Sequence, residues 1–137
     1  MGGGLLLAEI QQTSDATFRL FDWNRRDAQG KSRPLHVDES FASIHWDQGP
    51  IEPIPANDPR QRLVSCKYFE IDRCQHADAF PLGGVDRLQA LIVTHGQGRF
   101  ENGEFAMAGD VWILPAAMPE MMLHPDVPLA GLLCSLP

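Results

Sequence analysis

From Leu63 onward the chain is a succession of short apolar runs, LVSCKYFEI, RLQALIVT, GRFENGEFAMA, DVWILP and LAGLLCSL, separated by glycine, proline and polar turns. Runs of this kind, rich in β-branched and aromatic residues, read as strands. Asn102-Gly103 between Phe100 and Phe105 is a strong tight-turn signal. Upstream, GPIEPIPANDPR over 49–60 carries prolines too closely spaced for a helix or a central strand. The chain therefore reads as a segment at 1–48, a proline-rich connector at 49–60 and a strand-rich lobe at 61–137, packed as one compact unit. The fold class is all-β, a jelly roll or β-sandwich with one short helix. Trp112, Met118, Met121 and Met122 are expected to serve as core or interface packing rather than line a cavity.

The first segment alternates. Leu5, Leu7, Glu9 and Gln11 share one face while Leu6, Ala8, Ile10 and Gln12 share the other, the strand period of two. Thr13, Ser14 and Asp15 are turn formers, and Thr17 to Trp23 resumes a strand with Thr17, Arg19 and Phe21 on one face. A hairpin closing near Ser14 would make Glu9 and Arg19 neighbours. A carboxylate and a guanidinium so placed could orient a polar ligand and exchange protons with it, or could simply close the hairpin as an ion pair. Further on, Asp38 is a plausible N-cap for a short helix that buries Phe41 and Ile44.

The charge balance excludes some functions. With a net charge of −7 over 137 residues and a pI near 5.0, the chain lacks the clustered Lys and Arg that nucleic acid requires. Its one basic cluster, Arg25, Arg26, Lys31 and Arg33, reads as a solvated loop rather than a phosphate contact. Cys66 and Cys74, placed on one strand, would be roughly 26 Å apart, far beyond disulfide reach. With Cys134 they read as buried thiols of a cytoplasmic protein. The run Leu5 to Ala8 is too short, and lacks the basic flank, for a signal peptide or a membrane span.

Gly4, Glu9, Ile10, Gln11, Ser14, Asp15, Thr17, Phe18, Arg19, Leu20, Phe21 and Asp22 fall in register with a long gapped segment. In it the chain resembles the type I mannose-6-phosphate isomerases (phosphomannose isomerases). Gly109, Asp110, Leu114, Pro115 and Ala116 fit a later turn of that family, and AGDVWILPA resembles a half-motif of the cupin superfamily. The resemblance covers nearly the whole chain and implies its C-terminal portion, with a cupin-like jelly roll. It implies interconversion of mannose 6-phosphate and fructose 6-phosphate by proton transfer through an enediol. Arg19 would be the charged group beside the enediolate and Glu9 the carboxylate that assists proton transfer or holds Arg19. Gln11, Ser14 and Asp15 would orient hydroxyls.

The resemblance also implies zinc, bound by a Gln, two His and a Glu that would all precede Met1. His36, His45, His76, His95 and His124 show no H-x-H or H-x-x-x-H, and the cysteines form no pair at zinc-ligand spacing, so no metal site is expected here. A hairpin deprived of sheet neighbours would leave an open apolar edge, which either docks on the second lobe or pairs with a second copy as a homodimer. The alternative to an isomerase is a non-catalytic cupin-like module that binds a carbohydrate or acts as a subunit.

Overall fold

The computed structural model describes residues 7–137, and the chain divides into two compact units, Met1–Glu52 and Pro53–Pro137. Leu5 and Leu6, which the alternating pattern included, lie outside the described residues.

The second unit is one antiparallel sheet of seven strands: β1 (Arg60–Ser65), β2 (Glu70–His76), β3 (Phe80–Leu82), β4 (Gln89–Phe100), β5 (Phe105–Met107), β6 (Val111–Leu114) and β7 (Met121–Ser135). The order is β1-β2-β7-β4-β5, with β3 also paired to β7 and β6 to β4. The two long strands, β4 and β7, form the spine. Leu91 lies opposite Leu133, and Val93 opposite Gly131. A sheet with no covering helix can bury one face only by curling over it. The core is made in that way, from Leu91, Val93 and Phe100 of β4, Leu123, Leu129 and Leu133 of β7, Phe80, Leu82, Ala106 and Leu114.

The bend is written into β4. Register shifts interrupt its ladder with β7 between Val93 and His95 and again on either side of Gln97. Such bulges bend a strand and raise its twist. Gly96 takes φ +79°, and a Cβ there would come 2.1 Å from the Pro128 carbonyl oxygen, so only glycine lets the two backbones approach this closely.

Several expectations hold. The unit is all-β, Trp112, Met118 and Met121 pack against the core, and Asn102-Gly103 makes the β4–β5 hairpin, with Gly103 at φ +89°. Others are corrected. LVSCKYFEI is not one strand: it is the end of β1, a turn and the start of β2, which puts Cys66 in that turn, off the strand that carries Cys74. All three thiols are free, and Cys66 is exposed rather than buried.

The first unit departs further from the sequence reading. Among the described residues, 7–23 contain no strand, so the hairpin closing near Ser14 is absent, and with it the open-edge argument for a homodimer. An isolated two-stranded ribbon is marginal in water, and alternation supplies propensity without supplying a partner. The helix α1 spans Val37–Ala42, starts from His36 without a side-chain cap, and leaves Phe41 and Ile44 exposed. Phe41 instead stacks on Trp46, whose indole Nε1 donates to the Phe41 carbonyl. No helix among the described residues is long and apolar enough to cross a membrane.

Candidate functional site

Residues 17–36 of the first unit are tied together by hydrogen bonds. Arg19 and His36 are tied reciprocally: the His36 N–H donates to the Arg19 carbonyl at 2.8 Å and the Arg19 N–H donates to His36 Nδ1 at 3.1 Å. The Phe18 ring meets the His36 imidazole edge-on. The backbone of Arg19 is thereby fixed on both sides, and its side chain follows. Arg19 Nη1 donates to the Pro34 carbonyl at 3.2 Å, and Nε lies 4.0 Å from Asp22 Oδ1. Arg33 grips the same carboxylate with two donors, Nε and Nη2. The hydrogen bond from Arg33 holds the Asp22 carboxyl below its usual value and raises the Arg33 guanidinium in turn.

Asp22 is followed by a tight turn in which the Arg25 N–H donates to the Asp22 carbonyl at 2.9 Å and both central residues, Trp23 and Asn24, have positive φ. That is the signature of a type I′ turn, unusual with tryptophan in it. The next loop is closed by a bridge between Arg26 and Ser32. Asp27 folds it from within, its carboxylate accepting from the N–H groups of Gln29 and Lys31.

Of the residues the sequence singled out, Arg19 is the one held in place. Glu9, Gln11, Ser14 and Asp15 are exposed on irregular chain, and Ser14 Oγ accepts only from the Ala16 N–H, two residues on. The ionic partner of Arg19 among the described residues is Asp22, not Glu9. Sequence reasoning gave no role to Asp22 or His36. The spacing of Arg19 and Asp22, three residues apart, was the available signal for the first; nothing local marked the second.

The second unit holds its own polar cluster. Asp72 is 4% exposed on the core face of β2, where Arg60 donates to Oδ2 at 2.9 and 2.7 Å and Arg62 donates to Oδ1. Burial pushes the Asp72 carboxyl up, but the bonds from Arg62 and Arg60 outweigh it and hold the carboxyl below its usual value. Hydrogen bonds from the guanidinium to Asp72 and Glu70 raise Arg62. Gln89 and Ser135, also buried, face each other across β4 and β7 near Glu70. Burial lowers the His76 imidazole, with Arg60 adding to the effect, and raises the Cys74 and Cys134 thiols.

These side chains do not suit zinc. Among the described residues no three His, Cys, Asp or Glu side chains are grouped to hold a metal ion. Asp22 and Asp72, the carboxylates most engaged, are taken up by guanidinium donors.

No family model matches the chain. It is 30% identical to "Mannose-6-phosphate isomerase ManA" of Bacillus subtilis over an alignment of 138 positions, covering 90% of this chain and 42% of that protein. The crystal structure of the mannose 6-phosphate isomerase from Bacillus subtilis superposes on 88% of this chain and 40% of that one, with TM-score 0.66 at 22% identity. A cupin 2 conserved barrel domain protein from Salinispora arenicola matches 65% of this chain and 91% of its own, with TM-score 0.52 at 20% identity. The chain thus spans about two fifths of the length of the isomerase it matches. Its fold is cupin-like, and the resemblance seen in its sequence extends along most of its length.

Proposed function

We propose that this chain, similar to the mannose-6-phosphate isomerases along nine tenths of its length, is an isomerase-like protein that acts on a sugar phosphate. The reaction interconverts mannose 6-phosphate and fructose 6-phosphate. A proton leaves one sugar carbon and returns to its neighbour through an enediol, while negative charge develops on the adjacent oxygen. Such a step needs a base and a fixed positive group at the oxyanion.

The observation that carries the reading is the state of Arg19. Its backbone is tied to His36 on both sides, its Nη1 and Nε are directed at Pro34 and Asp22, and its Nη2 has no protein partner among the described residues. A guanidinium fixed by some of its donors and open at another is preorganised to receive an oxyanion. By the resemblance alone Glu9 would be the carboxylate for proton transfer and Gln11, Ser14 and Asp15 would meet substrate hydroxyls; all four are exposed on irregular chain. Localisation in the cytoplasm accords with this chemistry.

The test is a coupled assay of mannose 6-phosphate turnover on the purified chain, with zinc and with chelator, for the native protein and Arg19→Ala. Loss of an oxyanion donor is expected to reduce turnover about 100- to 1,000-fold. Turnover unchanged in Arg19→Ala refutes the site. A folded protein without turnover in either condition refutes the isomerase reading. It then leaves a non-catalytic cupin-like module that binds a carbohydrate or acts as a subunit.

A further inference from the structure

We propose that the cavity on the outer face of β2, lined by Asn57, Asp58, Arg73 and Gln75, is a binding site for a neutral polyhydroxylated molecule about the size of a hexose. All of its lining residues belong to the second unit, so the site rests neither on Arg19 nor on the isomerase reading.

The strand period builds its polar side. Asp72 and Cys74 of β2 face the core, and Arg73 and Gln75 therefore project from the opposite face. Where the proline-rich connector ends, the Pro59 carbonyl accepts from the Gln75 N–H at 2.7 Å, which holds Asn57 and Asp58 beside the same two side chains. The space they enclose measures about 440 Å³. Pockets that take small molecules run from roughly 300 to 1,000 Å³. Pro59 and Pro128 give this one aliphatic walls on which the C–H groups of a ligand can pack.

The charged groups around the cavity are uncommitted. The ion pairs of the second unit join Arg60 and Arg62 to Asp72, Arg62 and Arg87 to Glu70, and Arg99 to Asp126; among the described residues they leave out Arg73 and Asp58. Arg73 spends Nη2 on Gln75 Oε1, while its Nη1 is buried without an acceptor. Gln61, paired with Arg73 across the β1–β2 ladder, does not supply one: its own Oε1 is buried without a donor. A buried guanidinium N–H costs free energy until an acceptor meets it. One guanidinium and one carboxylate on the same cavity cancel, so the site favours neither an anion nor a cation. A hydroxyl both accepts and donates, and a ring of hydroxyls can accept from Arg73 and Asn57 while donating to Asp58. That combination is the chemistry of a sugar.

Proton–nitrogen NMR of the full chain tests the proposal, read at the Arg73 Nε–H and at the Asn57 and Gln75 side-chain amides, with mannose and fructose as probes and titration calorimetry for the affinity. The variants are Arg73→Met, Asp58→Ala and, as a control outside the cavity, the exposed Arg99→Gln, with folding checked by circular dichroism. At least one of the two hexoses should shift these signals saturably. Arg73→Met and Asp58→Ala should each weaken binding about tenfold or more, while Arg99→Gln leaves it unchanged. Asp58 is exposed on the connector, so its variant decides the matter even if Arg73→Met fails to fold. Failure of both hexoses to shift these signals, or equal weakening in Asp58→Ala and Arg99→Gln, overturns the site. A preference for inorganic phosphate over either hexose at these signals overturns it too, because the charges then do not cancel. Hexose binding that Asp58→Ala weakens, in a chain that does not turn over mannose 6-phosphate, supports the site and removes the isomerase reading. Turnover without hexose binding at these signals removes the site and keeps that reading.

Discussion

Replacing Asp72 with Asn should expose how much the second unit depends on one buried carboxylate. The Asp72 side chain is 6% exposed, but the guanidinium side chains of Arg60 and Arg62 are 55% and 43% exposed. Removing one partner of a fully buried ion pair costs about 3–5 kcal/mol, and an exposed pair is worth about 0.2–1 kcal/mol. With the acid buried and the bases half in water, the loss should fall between, at about 2 kcal/mol. For a domain of under 100 residues that lowers Tm by about 8–16 °C.

The pH dependence supplies the sharper test. Because the folded Asp72 carboxyl lies below its ordinary value, its stabilisation is fully present above the unfolded value of about 3.9 and is lost as pH falls through the folded one. Urea unfolding is best followed by the Trp112 fluorescence in a background where Trp23 and Trp46 are phenylalanine, so that only the second unit reports. The gap between native and Asp72→Asn should be full at pH 7 and should close below about pH 4. Equal midpoints at pH 7, or a gap that persists unchanged to pH 3, would refute the reasoning.

Other substitutions test the core and the bend. Leu91→Ala, at a side chain with no exposure, should cost about 2–5 kcal/mol in urea unfolding with an unchanged m value. Gly96→Ala should destabilise far more than Gly103→Ala, since a Cβ at Gly96 meets the Pro128 carbonyl oxygen at 2.1 Å while nothing lies within 4 Å at Gly103. The second change carries only the left-handed strain of about 1–2 kcal/mol, and equal midpoints would contradict the close approach. Burial keeps the folded His76 imidazole below its ordinary value, so the unfolded chain binds the proton more readily and stability should fall as pH drops below about 6.5. His76→Phe, which preserves the stack on Phe80, should remove that slope between pH 7.5 and 5.5, and a slope that survives would place its origin elsewhere.

The strands that could be read were those whose alternation matched a real face. Leu91 and Val93 point to the core while Ala90 and Ile92 are only half-buried, and the period of two was visible in RLQALIVT. The first half of β7 was hidden by Pro125 and Pro128, because a proline cannot donate to a ladder and argues against a central strand. The structure resolves that conflict locally. Pro125 lies opposite Gly98, and Pro128 falls where the ladder with β4 shifts register. The missing donor is tolerated because the pairing is already interrupted there. β3 was missed for a related reason: Phe80-Pro81-Leu82 is too short and too proline-bearing to stand out, yet it buries Phe80 and Leu82 against β7.

The first unit shows the opposite failure, a pattern without a partner. Alternation from Leu7 to Gln12 and from Thr17 to Trp23 is compatible with strands, but a strand is stabilised by its neighbours, and these residues enter no ladder. The expected pairing of Glu9 with Arg19 depended on that hairpin and disappears with it. What replaces it is local. Arg19 reaches Asp22 three residues on, and a turn with Trp23 and Asn24 in the left-handed region redirects the chain so that Arg33 returns to the same carboxylate. Charge count revealed that the cluster was basic. It could not reveal that Asp27 would spend its carboxylate on the backbone of its own loop, leaving Arg25 and Arg26 without an ionic partner among the described residues. An aspartate followed by a glycine three residues later, as at Asp27 and Gly30, is the short-range pattern that could have marked such a loop. Asp27 Oδ1 is then bound to the N–H groups of its own loop rather than to a guanidinium.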